Sequence, residues 1–140
     1  MTASAKDLEV GDARTLVVID NLTRTQIVMY AGASGDYNPL HSDEVYATQS
    51  AGYPSTFAHG MLSMGATGRV LTDWFGPDRL LRYAVRFVNQ VWPGDTLTAT
   101  ATVEAIREDG DGPVVDIAVS TVNQDGKPVV TGTAIARLDP

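Results

Sequence analysis

Three polar residues in the segment 34–43, SGDYNPLHSD, have types and spacing suited to chemistry on water. They are Asp36, Asn38 and His41, with Pro39 between the last two. A carboxylate and an imidazole five positions apart do not share a face of a regular helix, but an irregular loop can turn both toward one point. Asn38 and Pro39 favour such a loop, because asparagine bonds to its own backbone and proline fixes φ. Asp36 and His41 can then hold one water molecule and move its protons, which is the chemistry of hydration and dehydration.

Two other interpretations of this segment stay open at the level of spacing. In the first, Asp36 caps a turn and His41 is a structural histidine with its hydrogen bonds satisfied. In the second, a divalent metal ion is bound by a set drawn from both histidines and nearby carboxylates. The chain has no HExxH or similar ligand spacing, so we expect no metal site. The candidate metal ligands are Asp36, His41, Asp43 and His59.

The pair His59-Gly60 stands at the start of the longest predicted helix. The first backbone N–H groups of a helix have no partner within it, and this end carries partial positive charge that stabilises an oxyanion. A glycine there lets a ligand approach closely. The structural alternative is that Gly60 only eases entry into the helix, while His59 caps it or packs beside it. Ser34 and Ser63 lie outside any GxSxG pattern, so neither is expected to be a nucleophile.

Three helices are predicted in the part of the chain that carries these candidate residues. Thr23 and Gln26 form a capping-box pattern that predicts a helix start, and this helix ends in the glycine-rich GASGD. A short helix is predicted over residues 43–49 and the longest one over residues 59–75, before a Gly-Pro stop. Small residues on a helix indicate that another backbone comes close, and the long helix contains three glycines: Gly60, Gly65 and Gly68.

Alternation of apolar and polar residues predicts strands in the second half of the chain. Short turns join several of them, which favours antiparallel pairing. The order of elements predicts an α+β domain with a long central helix against a curved antiparallel sheet. The predicted strands cover residues 16–19, 80–88, 97–105, 114–122 and 129–138.

Composition sets the broad class. The chain has 140 residues, 44% of them hydrophobic and 19% charged, which fits one globular domain. It has no cysteine, which excludes disulfides, thiolate chemistry and cysteine zinc sites. A net charge of −7 disfavours nucleic acid as a partner. No secretory signal and no apolar stretch of membrane-spanning length is visible, so we expect a cytoplasmic protein without a membrane partner.

The motif YAGASGDYNPLHSD, followed by FAHGMLSMG and then YAVRFVNQVWPGDTLTATATV, resembles the MaoC-like dehydratases, or (R)-specific enoyl-CoA hydratases. The resemblance covers residues 30–103. It implies a hot-dog fold, in which a long helix is wrapped by an antiparallel sheet, as a single domain over residues 1–140. It also implies a dimer whose sheets join edge to edge, with each active site at the subunit interface.

The resemblance also implies roles for single residues. Asp36 and His41 match the family's catalytic aspartate and histidine, and Gly60 matches the glycine whose N–H binds the thioester oxygen. Asn38 lies between the catalytic pair and is assigned to shaping the loop. Arg86, in the VRF segment, is a candidate for binding the phosphates of the carrier. The implied reaction is reversible syn addition of water to a trans-2-enoyl thioester, giving an (R)-3-hydroxyacyl thioester, with no cofactor beyond the coenzyme A or acyl carrier protein of the substrate.

Two alternatives remain beside this one. The same fold is used by thioesterases, which hydrolyse acyl thioesters at a helix N-terminus. Some relatives are subunits of obligate heterodimeric dehydratases, so a heterodimer with a second hot-dog subunit stands beside the expected homodimer. Acyl length and branching, the carrier, the pathway, and which of Asp36 and His41 is formally the base are left open by the sequence.

Overall fold

A single antiparallel sheet of five strands surrounds the longest helix. The computed structural model describes residues 3–140, so the first two residues of the predicted domain lie outside the described part. The strands lie side by side in the order β1-β3-β4-β5-β2, and every neighbouring pair is antiparallel. They are β1 (Ala13–Ile19), β2 (Leu80–Phe87), β3 (Leu97–Asp109), β4 (Gly112–Val122) and β5 (Pro128–Arg137).

The first helix, α1 (Arg24–Ser34), begins where the sequence predicts. The Thr23 side chain accepts a hydrogen bond from the Gln26 N–H, and the Gln26 side chain accepts one from the Thr23 N–H. This reciprocal pair satisfies two N–H groups that the helix leaves free. The helix ends at Gly35, whose φ of 75° is the left-handed conformation that glycine adopts readily.

The predicted short helix over residues 43–49 is present over residues 44–50, but its larger part, Tyr46–Ser50, is a π-helix and not an α-helix. The Ala51 N–H donates to the Tyr46 carbonyl, and the Tyr53 N–H donates to the Ala47 carbonyl. These wide bonds, with Gly52 in a left-handed conformation between them, open the last turn beyond the spacing of an α-helix.

The long helix α2 (Gly60–Phe75) agrees with the prediction to within one residue and contacts all five strands. Its far half is buried in the core through Val70, Leu71 and Phe75, against alternating residues of the sheet. Near the middle of the helix a substituent on Gly68 would lie 3.3 Å from the Tyr83 ring, whereas one on Gly65 would meet nothing within 4 Å. Gly68 therefore makes room for an aromatic ring and not, as predicted, for another backbone, and Gly65 has neither beside it.

The face of the sheet that packs against α2 is formed by small and medium apolar residues. In β3 the buried positions are Leu97, Ala99, Ala101 and Val103. The alanines let the helix seat close to the sheet. The predicted fold, a long central helix wrapped by a curved antiparallel sheet, is thereby confirmed. Among the described residues no helix is long and apolar enough to cross a membrane.

Candidate active site

The segment after α1 holds Asp36 in an irregular loop built from local hydrogen bonds. The Asp36 N–H donates to Ser34 Oγ at 3.1 Å, and the Asn38 N–H donates to Asp36 Oδ1 at 3.2 Å. The Asn38 side chain in turn accepts from the Leu40 N–H at 3.0 Å and caps a 3₁₀ turn, Pro39–His41. This turn changes the chain direction and brings the imidazole back toward the carboxylate.

His41 is held with one ring nitrogen engaged and the other available. Its Nδ1 lies 2.7 Å from the Phe57 carbonyl oxygen. A carbonyl only accepts, so Nδ1 carries the hydrogen and the neutral ring presents a lone pair at Nε2. Burial lowers the pKa of His41 below its usual value, and the nearby His59 adds to this, against the opposing effects of the Phe57 carbonyl and Asp36. The ring is therefore neutral, and able to accept a proton, at neutral pH.

His59 connects the loop to the start of α2. It is 2% exposed, and its Nε2 donates to the Asp36 backbone oxygen at 3.0 Å. Its ring stacks on that of His41, with centroids 3.8 Å apart and an angle of 25° between planes, and it meets Tyr30 edge-on. Of the two structural roles predicted for His59, capping α2 or packing beside it, the structure shows packing, because its side chain makes no capping hydrogen bond. The sequence did not predict its hydrogen bond to the Asp36 backbone. The one sequence feature that points to His59 is its position directly before the glycine that begins the helix.

Asp36, His41 and His59 form one cluster, in which one side-chain ligand atom from each lies within 4.8 Å of the others. The cluster does not suit a chelated ion. Ring lone pairs lie in the ring plane, and two nearly parallel stacked rings direct them side by side instead of toward one point. The fourth metal candidate, Asp43, accepts a hydrogen bond from the Tyr46 N–H outside this cluster.

Gly60 lies at the mouth of a cavity of about 260 Å³ beside the N-terminus of α2. Its N–H has no acceptor among the described residues. A substituent on Gly60 would lie 3.0 Å from Cδ2 of Phe87, so glycine at this position makes room for the Phe87 ring at the start of the helix. Ser63, one turn further along, also lines the cavity. The remaining wall is mostly apolar and is formed by Phe57, Ala58, Val88, Asn89, Gln90, Val91, Val129 and Val130.

Arg86 is not brought to this cavity in the single chain. It lies on β2 opposite Thr131, and its side chain is exposed. Because side chains alternate along a strand, Arg86 points to the face opposite that of Phe87, which lines the cavity. Arg82, four residues earlier, borders a separate groove. Any role for Arg86 in holding a carrier therefore stays a prediction.

The sequence and the fold of this chain have counterparts among known proteins. The family described as MaoC like domain matches residues 7–124, well over half of the chain. The chain belongs to the MaoC-like domain family. The resemblance drawn from its motifs is thereby confirmed.

Relatives of this MaoC-like chain carry names that describe hydration and dehydration. It is 41% identical over 83 residues to 3-hydroxyacyl-thioester dehydratase Y of Mycobacterium tuberculosis, covering 57% of this chain but only 29% of that protein. It is 31% identical over 137 residues to the (R)-specific enoyl-CoA hydratase of Aeromonas caviae, covering 96% of this chain and 98% of that one. The unliganded R-hydratase PhaJ1 from Pseudomonas aeruginosa superposes with a TM-score of 0.83 at 29% identity, covering 99% of this chain and 88% of that chain. The predicted enzyme class, a lyase of the hydratase type, is the class that these names describe.

Proposed function

We propose that this MaoC-like chain catalyses reversible syn addition of water to trans-2-enoyl thioesters, giving (R)-3-hydroxyacyl thioesters. The observation that carries the proposal is the approach of the Asp36 carboxylate and the His41 ring to within 4.8 Å. A water molecule with hydrogen bonds of about 2.8 Å to each of two groups spans up to about 5.6 Å. The pair is therefore close enough to hold one water between them.

The chemistry follows from the states of the two side chains. His41 Nε2 presents a lone pair, so it accepts a proton as the water oxygen attacks C3 of the enoyl group. Asp36 orients the water, and the pair returns a proton to C2 on the same face. Both groups contact the same water in this proposal, so the acid–base role is assigned to the pair. Water supplies every atom that is added, and no further cofactor is needed.

Gly60 acts at the other end of the conjugated system. As the hydroxyl adds to C3, negative charge moves through C2 to the thioester oxygen. The unpaired Gly60 N–H and the positive end of α2 stabilise this charge. The cavity beside Gly60 is mostly apolar and suits the acyl chain.

Replacing either member of the dyad tests the proposal. We expect Asp36→Asn and His41→Ala each to lower kcat by about 10²- to 10⁴-fold with folding retained, because each removes a general acid or base. The assay is loss of enoyl absorbance with crotonyl-CoA and with longer and bulkier enoyl-CoAs, with chirality of the product determined. Asp43→Asn is the matched control, since its amide oxygen still accepts from the Tyr46 N–H. Turnover near that of the unmodified chain in either dyad variant would refute the assignment.

A thioesterase activity is the alternative within the same fold. It would use the same helix N-terminus and cavity, but it needs water directed at the thioester carbonyl and not at C3. The Asp36 and His41 loop upstream of α2 favours hydration. Release of free thiol from an acyl-CoA would identify the thioesterase, whereas loss of enoyl absorbance without thiol release would identify the hydratase.

A second subunit is part of the proposal. The strand β2 lies at one end of the sheet, so one of its edges is unpaired. Leu81 and Phe87 on that strand, and Val88 after it, are about half exposed, which a second copy joined edge to edge would cover. We therefore propose a homodimer. Native mass spectrometry and an activity assay of the purified chain test this assembly. The homodimer predicts a dimer that is active alone, whereas the heterodimer predicts that the chain alone is inactive.

The substrate carrier is coenzyme A or acyl carrier protein. Both present phosphate, and the chain is acidic, so a local cation must receive it. Arg86 stays the proposed contact, because its guanidinium is exposed and makes no ion pair among the described residues.

A further inference from the structure

Ser63 is a buried hydroxyl without a hydrogen-bond partner at the proposed site. The residue is 2% exposed, and its Oγ has no partner among the described residues. It lines the same cavity as Gly60. A buried polar group that is left unpaired costs folding free energy, and such groups in native structures call for an explanation.

The geometry of the helix directs Ser63 toward the space beside Gly60. Each Cα–Cβ bond in a helix tilts toward the N-terminus, so a side chain covers the turn before its own Cα. Ser63 is three residues after Gly60 and thus lies over the turn that begins there. A serine inside a helix often bonds to the carbonyl four residues earlier, here that of His59, but the Ser63 hydroxyl does not.

We infer that Ser63 donates a second hydrogen bond to the thioester carbonyl oxygen, beside that from the Gly60 N–H. The inference rests on the proposed function. As the hydroxyl adds to C3, the π pair of the C2–C3 bond forms a double bond between C1 and C2, and the π pair of the carbonyl moves onto the thioester oxygen, where both donors meet it. The Ser63 proton stays on Oγ throughout, and the charge returns to C2 when the dyad delivers the proton there. Ser63 is then a catalytic residue but not a nucleophile.

A structural role competes with this one. His59 Nδ1 is also buried and unpaired, and it lies one helical turn before Ser63. In this structural role the Ser63 hydroxyl would donate to that nitrogen and satisfy both groups. The two roles predict opposite effects on stability, because removing a made hydrogen bond destabilises the chain, whereas removing an unpaired hydroxyl does not.

Ser63→Ala and Ser63→Thr, compared with Thr67→Val, make the test. We expect Ser63→Ala to lower kcat about 10²-fold, the lower range for loss of one oxyanion donor, with KM nearly unchanged and Tm equal or higher. Ser63→Thr keeps the hydroxyl and should recover most of the turnover. Thr67, one turn further along, has a paired hydroxyl, 2.6 Å from that of Thr121. Thr67→Val should therefore lower Tm and leave kcat unchanged.

A spectroscopic measurement does not depend on turnover. Butyryl-CoA labelled with ¹³C at its carbonyl has no double bond to hydrate, and each hydrogen bond lowers its carbonyl stretching frequency. The shift on binding should be smaller in Ser63→Ala than in the unmodified chain or Ser63→Thr. An active chain in which Ser63→Ala keeps full kcat and the full shift would overturn the role of Ser63 alone. An unmodified chain inactive on enoyl thioesters of both coenzyme A and acyl carrier protein would instead overturn the proposed function of the homodimer.

Discussion

His59 offers the sharpest test of how the site is held together. Its Nε2 donates to the Asp36 backbone oxygen at 3.0 Å across a sequence separation of 23 residues. The other bonds of the Asp36 loop described above are local, to Ser34 and Asn38. His59→Phe keeps an aromatic ring against His41 and removes the donor. The exchange should therefore free the Asp36 loop without emptying the space that the ring fills.

The expected magnitudes differ for stability and for turnover. The lost hydrogen bond contributes about 0.5–1.5 kcal/mol to stability, whereas the unpaired buried Nδ1 of His59, lost in the same exchange, costs about 1–3 kcal/mol. The two terms oppose each other, so we expect Tm to stay equal or rise slightly. For turnover, displacement of a catalytic group by about 1 Å costs roughly 10²-fold. We therefore expect kcat of His59→Phe to fall about 10²-fold on crotonyl-CoA.

The control keeps the donor and removes the ring. The amide of His59→Gln can still donate to the Asp36 carbonyl but cannot stack on His41. We expect its kcat to lie well above that of His59→Phe. A larger loss in His59→Gln than in His59→Phe would assign the effect to stacking, and full turnover in His59→Phe would refute the argument that this bond positions Asp36.

Two further predictions concern pH and packing. His41 acts in its neutral form and burial lowers its pKa, so we expect kcat/KM to fall only at pH values below about 6.5, the ordinary value for histidine. Because the unfolded chain binds that proton more readily than the folded chain, the free energy of unfolding should also decrease as the pH falls through this range. Gly132→Ala would place a methyl group against the Ala84 carbonyl oxygen and 2.9 Å from the Val85 Cα. Because backbone cannot move aside as a side chain does, we expect the free energy of unfolding, measured by chemical denaturation, to fall by about 3 kcal/mol or more. Gly65→Ala, whose methyl meets nothing within 4 Å, is the control and should stabilise α2 by up to about 1 kcal/mol. Equal stability of the two glycine variants would contradict the packing prediction. An activity loss that begins well above pH 6.5 would contradict the pH prediction.

Local signals in the sequence predicted the elements well. The capping box of Thr23 and Gln26 located the start of α1, and the Gly-Pro stop located the end of α2. The strand β1 was predicted only from Leu16, because its first three residues are exposed and show no apolar pattern. They form strand through pairing with β3, including the contact between the Thr15 and Thr100 hydroxyls at 3.0 Å. Such pairing depends on a distant segment and leaves no local pattern.

Topology and the support of the site were not predictable for the same reason. A period of two identifies β2 as a strand but does not identify its partner, which is β5 and not β3, the next strand in the chain. The sequence singled out Asp36 and His41 because their types and spacing suggest chemistry. It did not show that His59 bonds to the Asp36 backbone, since a hydrogen bond to a carbonyl has no residue signature.

The left-handed conformation of Gly35 at the end of α1 limits the transfer of the Asp36 and His41 loop to another protein scaffold. Its φ of 75° sets the direction in which the chain leaves the helix, and thereby where the Asp36 carboxylate is aimed. A designer who copied only residues 36–41 into a foreign scaffold would transfer the reactive groups without their orientation. The smallest transferable unit includes the last turn of α1 and the first turn of α2, brought from separate parts of the chain.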